Sequence, residues 1–182
     1  SSEQQDQLAL HQRNAKYYFD GGRIDQAVGQ IERGLELDPD DYLLLSLKGS
    51  ILLKQSASAL GQDHRRLDEA TAVLTKVYET RSANRHEPYL LLNYALAQQK
   101  QGRRHLGESL SLRDQATRAP EKQELLNRAD AAQQQAAARL GAAREVLGVL
   151  VDRGELLRIA HYHLLLIAQD LRDDVAFDIH EK

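Results

Sequence analysis

The sequence contains no cysteine, methionine or tryptophan, and only three prolines among its 182 residues. Without cysteine there is no disulfide framework and no thiol catalysis, while the compartment stays open, since cytoplasmic and periplasmic proteins can both lack it. Aromatic residues make up 5% of the chain, so any core must be built mainly from leucine and alanine. No apolar run reaches the roughly 18 residues of a membrane span. The densest apolar region, Leu156 to Leu171, is interrupted by Arg158, His161, His163 and Gln169. The formal net charge is −3, with both signs mixed along the chain and no basic block, which gives no electrostatic case for nucleic acid or an anionic membrane. Phosphate loops, Gly-x-Ser-x-Gly elbows and His-Glu-x-x-His motifs are missing, so an enzyme is not expected.

What remains is a chain of good helix formers, 42% apolar and 28% charged, with long stretches free of turn residues. Leu8 to Asp41 reads as one complete helical hairpin. Ala15 and Ala27 are small residues placed where two helices would cross, and Tyr18 and Ile31 fill the space beside them. Gly22 stands where the chain must leave the first helix, because glycine reaches left-handed angles cheaply. Asp38 before Pro39 stops the second helix, since proline disfavours helical geometry in the preceding residue. One such hairpin cannot bury its apolar face alone and needs a neighbour.

This pattern, Ala15, Tyr18, Gly22, Ala27, Ile31 and Pro39, is similar to the tetratricopeptide repeat, a 34-residue helical hairpin. The resemblance implies an all-α solenoid of three to four hairpins. A second unit starts at Tyr42, with Leu45, Gly49, Leu52, Ala70 and Leu74 at matching positions and an enlarged loop over about 56–64. A third starts at Pro88, carries Leu91, Tyr94, Ala95 and Ala97, and turns at Lys100-Gln101-Gly102; its second helix, with Gly107, Ser111 and Asp114, follows the pattern poorly. Residues 1–118 are thus expected as three hairpins and 119–182 as a continuation of the same solenoid.

From Pro120 to Asp152 a different pattern takes over. Leu125, Ala129, Ala132, Ala136, Leu140, Ala143, Leu147 and Leu150 recur every three or four residues, the seam of a long alanine-rich helix, or of two helices broken at Gly141. The seam would pack internally or against a second copy of the chain. Gly154 to Lys182 reads as a last irregular hairpin, turning at Leu171-Arg172-Asp173-Asp174, with helix preferred to strand although Val175, Phe177 and Ile179 alternate. Its second helix stops short at Lys182, as if the parent chain continued. The start at Ser1-Ser2-Glu3 fits a trimmed or mature chain, and a lipid-bearing cysteine just upstream would fit a bacterial lipoprotein.

The resemblance also implies a function, noncovalent binding of another protein or peptide by an adaptor or assembly factor. The inner groove of such a stack maps to Gln12, Lys16, Phe19 and Asp20, then Ser46, Ser50, Leu53 and Lys54, then Leu92, Leu96, Gln99 and Lys100. The set lacks the basic carboxylate clamp of chaperone-binding members; Asn14 and Asn93 come nearest. An apolar helix or extended segment is the better fit. No metal or cofactor is expected. His161 and His163, two apart, would point to different sides of a helix, and His64, His86 and His105 have no acidic partners at ligand spacing. Asp38-Pro39-Asp40-Asp41 resembles the start of a calcium loop but lacks its glycine and its closing glutamate.

Two alternatives remain. Ala136 to Ile159 also resembles the core of a winged-helix domain, with four arginines against three acids, and would then bind nucleic acid. Helix or strand over Leu156–Leu166 separates that reading from the solenoid. The chain would alternatively be a regulatory repeat domain of a larger enzyme.

Overall fold

The structure is a computed structural model that describes residues 1–58 and 61–180, and the side-chain surroundings of these except at 58, 61–62 and 173–180. The described chain is helical apart from one two-residue pairing, which bears out the all-α expectation. It forms two compact units, Ser1–His86 and Glu87–Lys182.

The first unit holds four helices of ordinary length: α1 (Ser2–Asp20), α2 (Ile24–Leu37), α3 (Tyr42–Ser56) and α4 (His64–Tyr78). Several of the boundaries have a local cause. Ser1 and Gln4 form a capping box at the start of α1, satisfying amides that the first turn leaves unpaired. Gly22 adopts φ +72° after α1, letting Arg23 N–H donate to the Tyr18 carbonyl (2.8 Å) and Gly22 N–H to that of Phe19 (3.1 Å). Asp41 caps α3 by accepting from Leu44 N–H (2.8 Å), and Asp63 caps α4 through Arg66 N–H (3.1 Å). Between α3 and α4, β1 (Ala57–Ser58) pairs antiparallel with β2 (Gly61–Gln62), so part of the expected enlarged loop is an ordered two-residue ladder.

Ala15, Ala27, Ile31, Leu44, Leu47 and Ile51 make the core of the first three helices, with Tyr18 and Phe19 packed on it. Two glycines let helices approach closely. A Cβ on Gly34 would collide with the Leu44 side chain, and one on Gly49 would sit 2.6 Å from Leu74 Cγ. The hairpins expected over Leu8–Asp41 and from Tyr42 onward are therefore present as the helix pairs α1–α2 and α3–α4, with buried small residues at the crossings.

The second unit is built differently. Its helices are α5 (Pro88–Ala116, 29 residues), α6 (Lys122–Asp152, 31 residues) and α7 (Leu157–His180, 24 residues). The third hairpin is not there. Lys100-Gln101-Gly102 lies inside α5, and no residue near it stops a helix. Gly102 serves packing instead: a Cβ there would stand 2.7 Å from Leu140 Cγ, so glycine marks a close approach of α5 and α6. The division of the chain accordingly falls after His86, not at 118, because α5 runs on to Ala116 and pairs along its length with α6.

The seam over 125–150 lies within one unbroken helix, the 31-residue α6, about 46 Å long at 1.5 Å per residue. Gly141 does not break it. Ala129, Ala132, Ala136, Leu140, Ala143, Leu147 and Leu150 are all buried, and Leu125 half-buried. The seam is used inside its own unit, so it offers no face to a second copy. Buried Arg113 of α5 reaches Asp130 (2.7 Å) and Gln133 (2.6 Å) of α6, and Arg139 donates to Gln98 (3.0 Å).

Gly154 ends α6 with the same device as Gly22: φ +69°, Glu155 N–H to the Leu150 carbonyl and Gly154 N–H to that of Val151, both 2.9 Å. After it α7 runs to His180 with no turn at 171–174, so the expected last hairpin is a single helix. Nothing in Leu171-Arg172-Asp173-Asp174 obliges a stop, since there is neither glycine nor proline. Leu156–Leu166 is not a strand: α7 takes in all of it beyond Leu156. With α6 also continuous through Gly141, the helix–strand order of a winged helix does not occur, and that alternative falls.

Candidate functional site

Of the twelve expected groove positions, eight lie in the first unit, on α1 and α3. These two helices meet along one edge. Gln12 Nε2 donates to Asp41 Oδ2 (2.5 Å), the carboxylate that caps α3, so the start of α3 is tied to the middle of α1. Further along, the Lys54 ammonium lies 5.2 Å from the centre of the Phe19 ring, a cation–π contact across the two helices. Lys16 pairs with Asp20 one turn on (2.8 Å), both more than half exposed, a geometry that contributes little to stability. Ser46 Oγ is turned onto the Tyr42 carbonyl (2.6 Å) and Ser50 is half-buried.

The face is mixed. Phe19 is its apolar centre, half-buried against the α1–α3 core and covered from outside by the flexible arm of Lys54. Leu53 is 5% exposed and belongs to the interior rather than to the surface. An α3 residue next to Lys54 can be buried because only one stripe of the helix faces out.

The remaining four positions lie on α5, in the second unit, and serve that unit's own packing. Leu92 and Gln99 are buried and Leu96 and Lys100 half-buried. Gln99 Oε1 is 2.7 Å from His163 Nδ1 of α7, and Arg103 pairs with Asp170 of α7 (2.8 Å). Burial first, then the Arg103 and Lys100 charges, hold the His163 pKa below its ordinary value. Burial and the cationic stripe on α5 thus both oppose protonation of this imidazole.

Two features escaped the sequence reading. His86 is fully buried between two rings, 5.9 Å from Tyr42 and 5.3 Å from Tyr78, with its Nδ1 3.1 Å from the Tyr42 hydroxyl and its Nε2 2.7 Å from the Tyr78 carbonyl. Arg81 lies over the Tyr42 ring, its guanidinium carbon 3.8 Å from the centre. This His86 is a packing histidine that fixes the residues after α4. No spacing rule links Tyr42 to Tyr78 and His86, so the stack had no local signal. The second feature is the outer face of α7, where Ile159, Tyr162 and Leu165 are exposed while Ala160 and Ile167 are buried on the inner side. The three-residue spacing of that stripe is visible in the sequence.

His161 is exposed and His163 is turned toward α5, in line with their opposed directions on a helix. Among the described residues no three histidine, aspartate or glutamate side chains gather closely enough to hold a metal ion. None of the described helices is long and apolar enough to cross a membrane. A mixed-charge depression at the α5–α6 turn, bordered by Asp114, Arg118, Glu124 and Arg128, has a volume of about 580 Å³. No family model, curated protein or solved structure matches this chain.

Proposed function

We propose that this chain is a noncovalent protein-binding scaffold, an adaptor or assembly factor whose first unit takes a partner segment on the α1–α3 face. The observation that carries this reading is Phe19. It is a half-buried aromatic at the junction of two helices, packed against the core and with the Lys54 ammonium over its ring. Such a cover moves aside at small cost, because a lysine ammonium is strongly hydrated and its stem flexible. An incoming apolar side chain would replace it on the ring, with Lys16, Asp20, Gln12 and Ser50 around the contact to supply polar pairing.

The resemblance of Ala15, Tyr18, Gly22, Ala27, Ile31 and Pro39 to a tetratricopeptide repeat supports the same reading, since stacked helical hairpins act by presenting a surface. The occupant is an amphipathic helix or an extended peptide with an apolar anchor. The test compares affinity capture by the wild type with capture by Phe19→Glu/Lys54→Glu, the fold being verified by circular dichroism. Leu53→Glu is unsuitable, because it would place a carboxylate in the interior. A protein retained by the wild type and lost by the folded double variant supports the face and names the partner. Capture of the same proteins by both variants overturns it.

A further inference from the structure

The opposite side of α3 carries a second surface. A cleft of about 350 Å³ opens between α2, α3 and α4, lined by Val28, Ile31, Ile51 and Leu52 and bordered by Asp25, Glu32, Lys48, Gln55 and Glu69. Its floor is apolar: Ile31 and Ile51 are core residues, and Val28 of α2 and Leu52 of α3 are half-buried beside them. Its border is acidic. Asp25 and Glu32 stand two turns apart on α2, about 10 Å along the axis, with Val28 between them. Glu69 faces them from α4. The single border cation, Lys48, lies 4.0 Å from Glu69, which leaves the two α2 carboxylates as the uncompensated charge of the border. All three carboxylates are exposed.

We propose that this cleft docks a short basic-amphipathic segment of a partner protein, one bulky aliphatic or aromatic side chain entering between Val28 and Leu52 while flanking lysines or arginines pair with Asp25, Glu32 and Glu69. The apolar floor supplies the affinity, because the anchor side chain leaves water on entering it. The carboxylates supply selection: an acidic segment meets like charge at three points, and a basic one is drawn in by the same field. Lys48 exchanges Glu69 for solvent when a partner cation arrives, so the border adapts without a change in the helices. The surface does not depend on Phe19, which lies on the other side of α3 among the α1–α3 contacts.

The experiment pans a randomised twelve-residue display library against the immobilised full chain. The enriched peptides are then measured as labelled synthetic peptides against the wild type, Glu32→Lys/Glu69→Lys, Val28→Ser and Phe19→Glu. The expected sequences place an aliphatic or aromatic residue between lysines or arginines. Their binding falls about tenfold or more in the charge-reversal variant, weakens in Val28→Ser, declines with added salt and is unchanged in Phe19→Glu. Absence of enriched peptides, enrichment without basic residues, or unchanged binding to the folded charge-reversal variant overturns the proposal. Self-association of the wild type that is lost in Glu32→Lys/Glu69→Lys would assign the cleft to a second copy of the chain and equally overturn it. A loss confined to Phe19→Glu would place the peptide on the α1–α3 face and leave the cleft empty.

Discussion

The helices of the first unit run 19, 14, 15 and 15 residues, and those of the second 29, 31 and 24. Both are built from leucine and alanine, yet one folds as short hairpins and the other as a long antiparallel pair with a third helix. The difference lies in punctuation. In the first unit Gly22 and Pro39 follow the ends of α1 and α2, and Asp41 and Asp63 cap the starts of α3 and α4, so the apolar stripes are short. In the second, Pro88 to Ala116 and Lys122 to Asp152 contain no residue that forces an exit, and the stripe continues until Pro120 or Gly154 ends it. Helix length here follows from where stop signals occur, not from a repeat period. The units share one device, a glycine that accepts a leucine: Gly34 with Leu44, Gly49 with Leu74, Gly102 with Leu140.

The sharpest way to break this comparison is at Gly102. If it were a turn residue, a side chain there would matter little beyond backbone strain. As a crossing residue it has no room, with Leu140 on one side and the Ala136 carbonyl 3.3 Å from the Cβ position. Gly102→Val is expected to destabilise the second unit by about 1–3 kcal/mol, the usual range for overpacking a tight interior. Urea denaturation measures it, and hydrogen exchange should show the loss along α5 and α6. An unchanged midpoint would falsify the crossing assignment.

Gly107, Gly141 and Gly22 sharpen the same contrast with opposite signs. Gly107 and Gly141 lie inside α5 and α6 with open space where a Cβ would go. Alanine at either position should raise stability by about 0.5–1 kcal/mol, because it removes backbone freedom from the unfolded chain. Gly22 also has open space, but its φ of +72° makes alanine there costly, by about 1–2 kcal/mol. Thermal melts of the three variants should therefore split two against one. A fall in melting temperature for Gly141→Ala would mean that α6 bends at that residue.

The sequence made the first unit legible because its signals are local. Gly22, Pro39 and Asp41 act within a few residues, and Ala15, Ala27, Ala70 and Leu74 lie on stripes that a 3.6-residue period exposes. The long seam of α6 was legible for the same reason. Gly102 misled because one residue type has two uses, turn and close approach, and only a distant partner, Leu140, tells them apart. The four-residue run Leu171 to Asp174 misled because polarity alone does not stop a helix. For the candidate face, period and resemblance place Phe19 and Lys54 on the helices that are α1 and α3, which adjoin at those residues. They could not show that Leu53, Leu92 and Gln99 are interior, since burial depends on what the fold lays over them.

The smallest expected effect concerns His163, where the second unit adds a polar contact between α5 and α7 to the leucine-into-glycine packing it shares with the first. Its imidazole bonds Gln99 and faces Lys100 and Arg103 of α5, while Asp170 on its own helix is engaged with Arg103. Burial and the two cations lower its folded pKa below the ordinary 6.5. Below 6.5 the unfolded chain therefore takes up a proton that the folded chain resists, and the folded state loses stability as pH falls from 6.5 toward the folded pKa. Above 6.5 both states are neutral at this site and the contribution is flat. Because the ring is only half-buried, solvent screens the cations and the slope is shallow. Chemical denaturation of the wild type and His163→Gln between pH 7.5 and 5 isolates it. The wild type should lose more stability on acidification than the variant, and the His163 ring should titrate below 6.5 by NMR. Parallel curves for the two proteins would show that the α5 cations do not reach the imidazole.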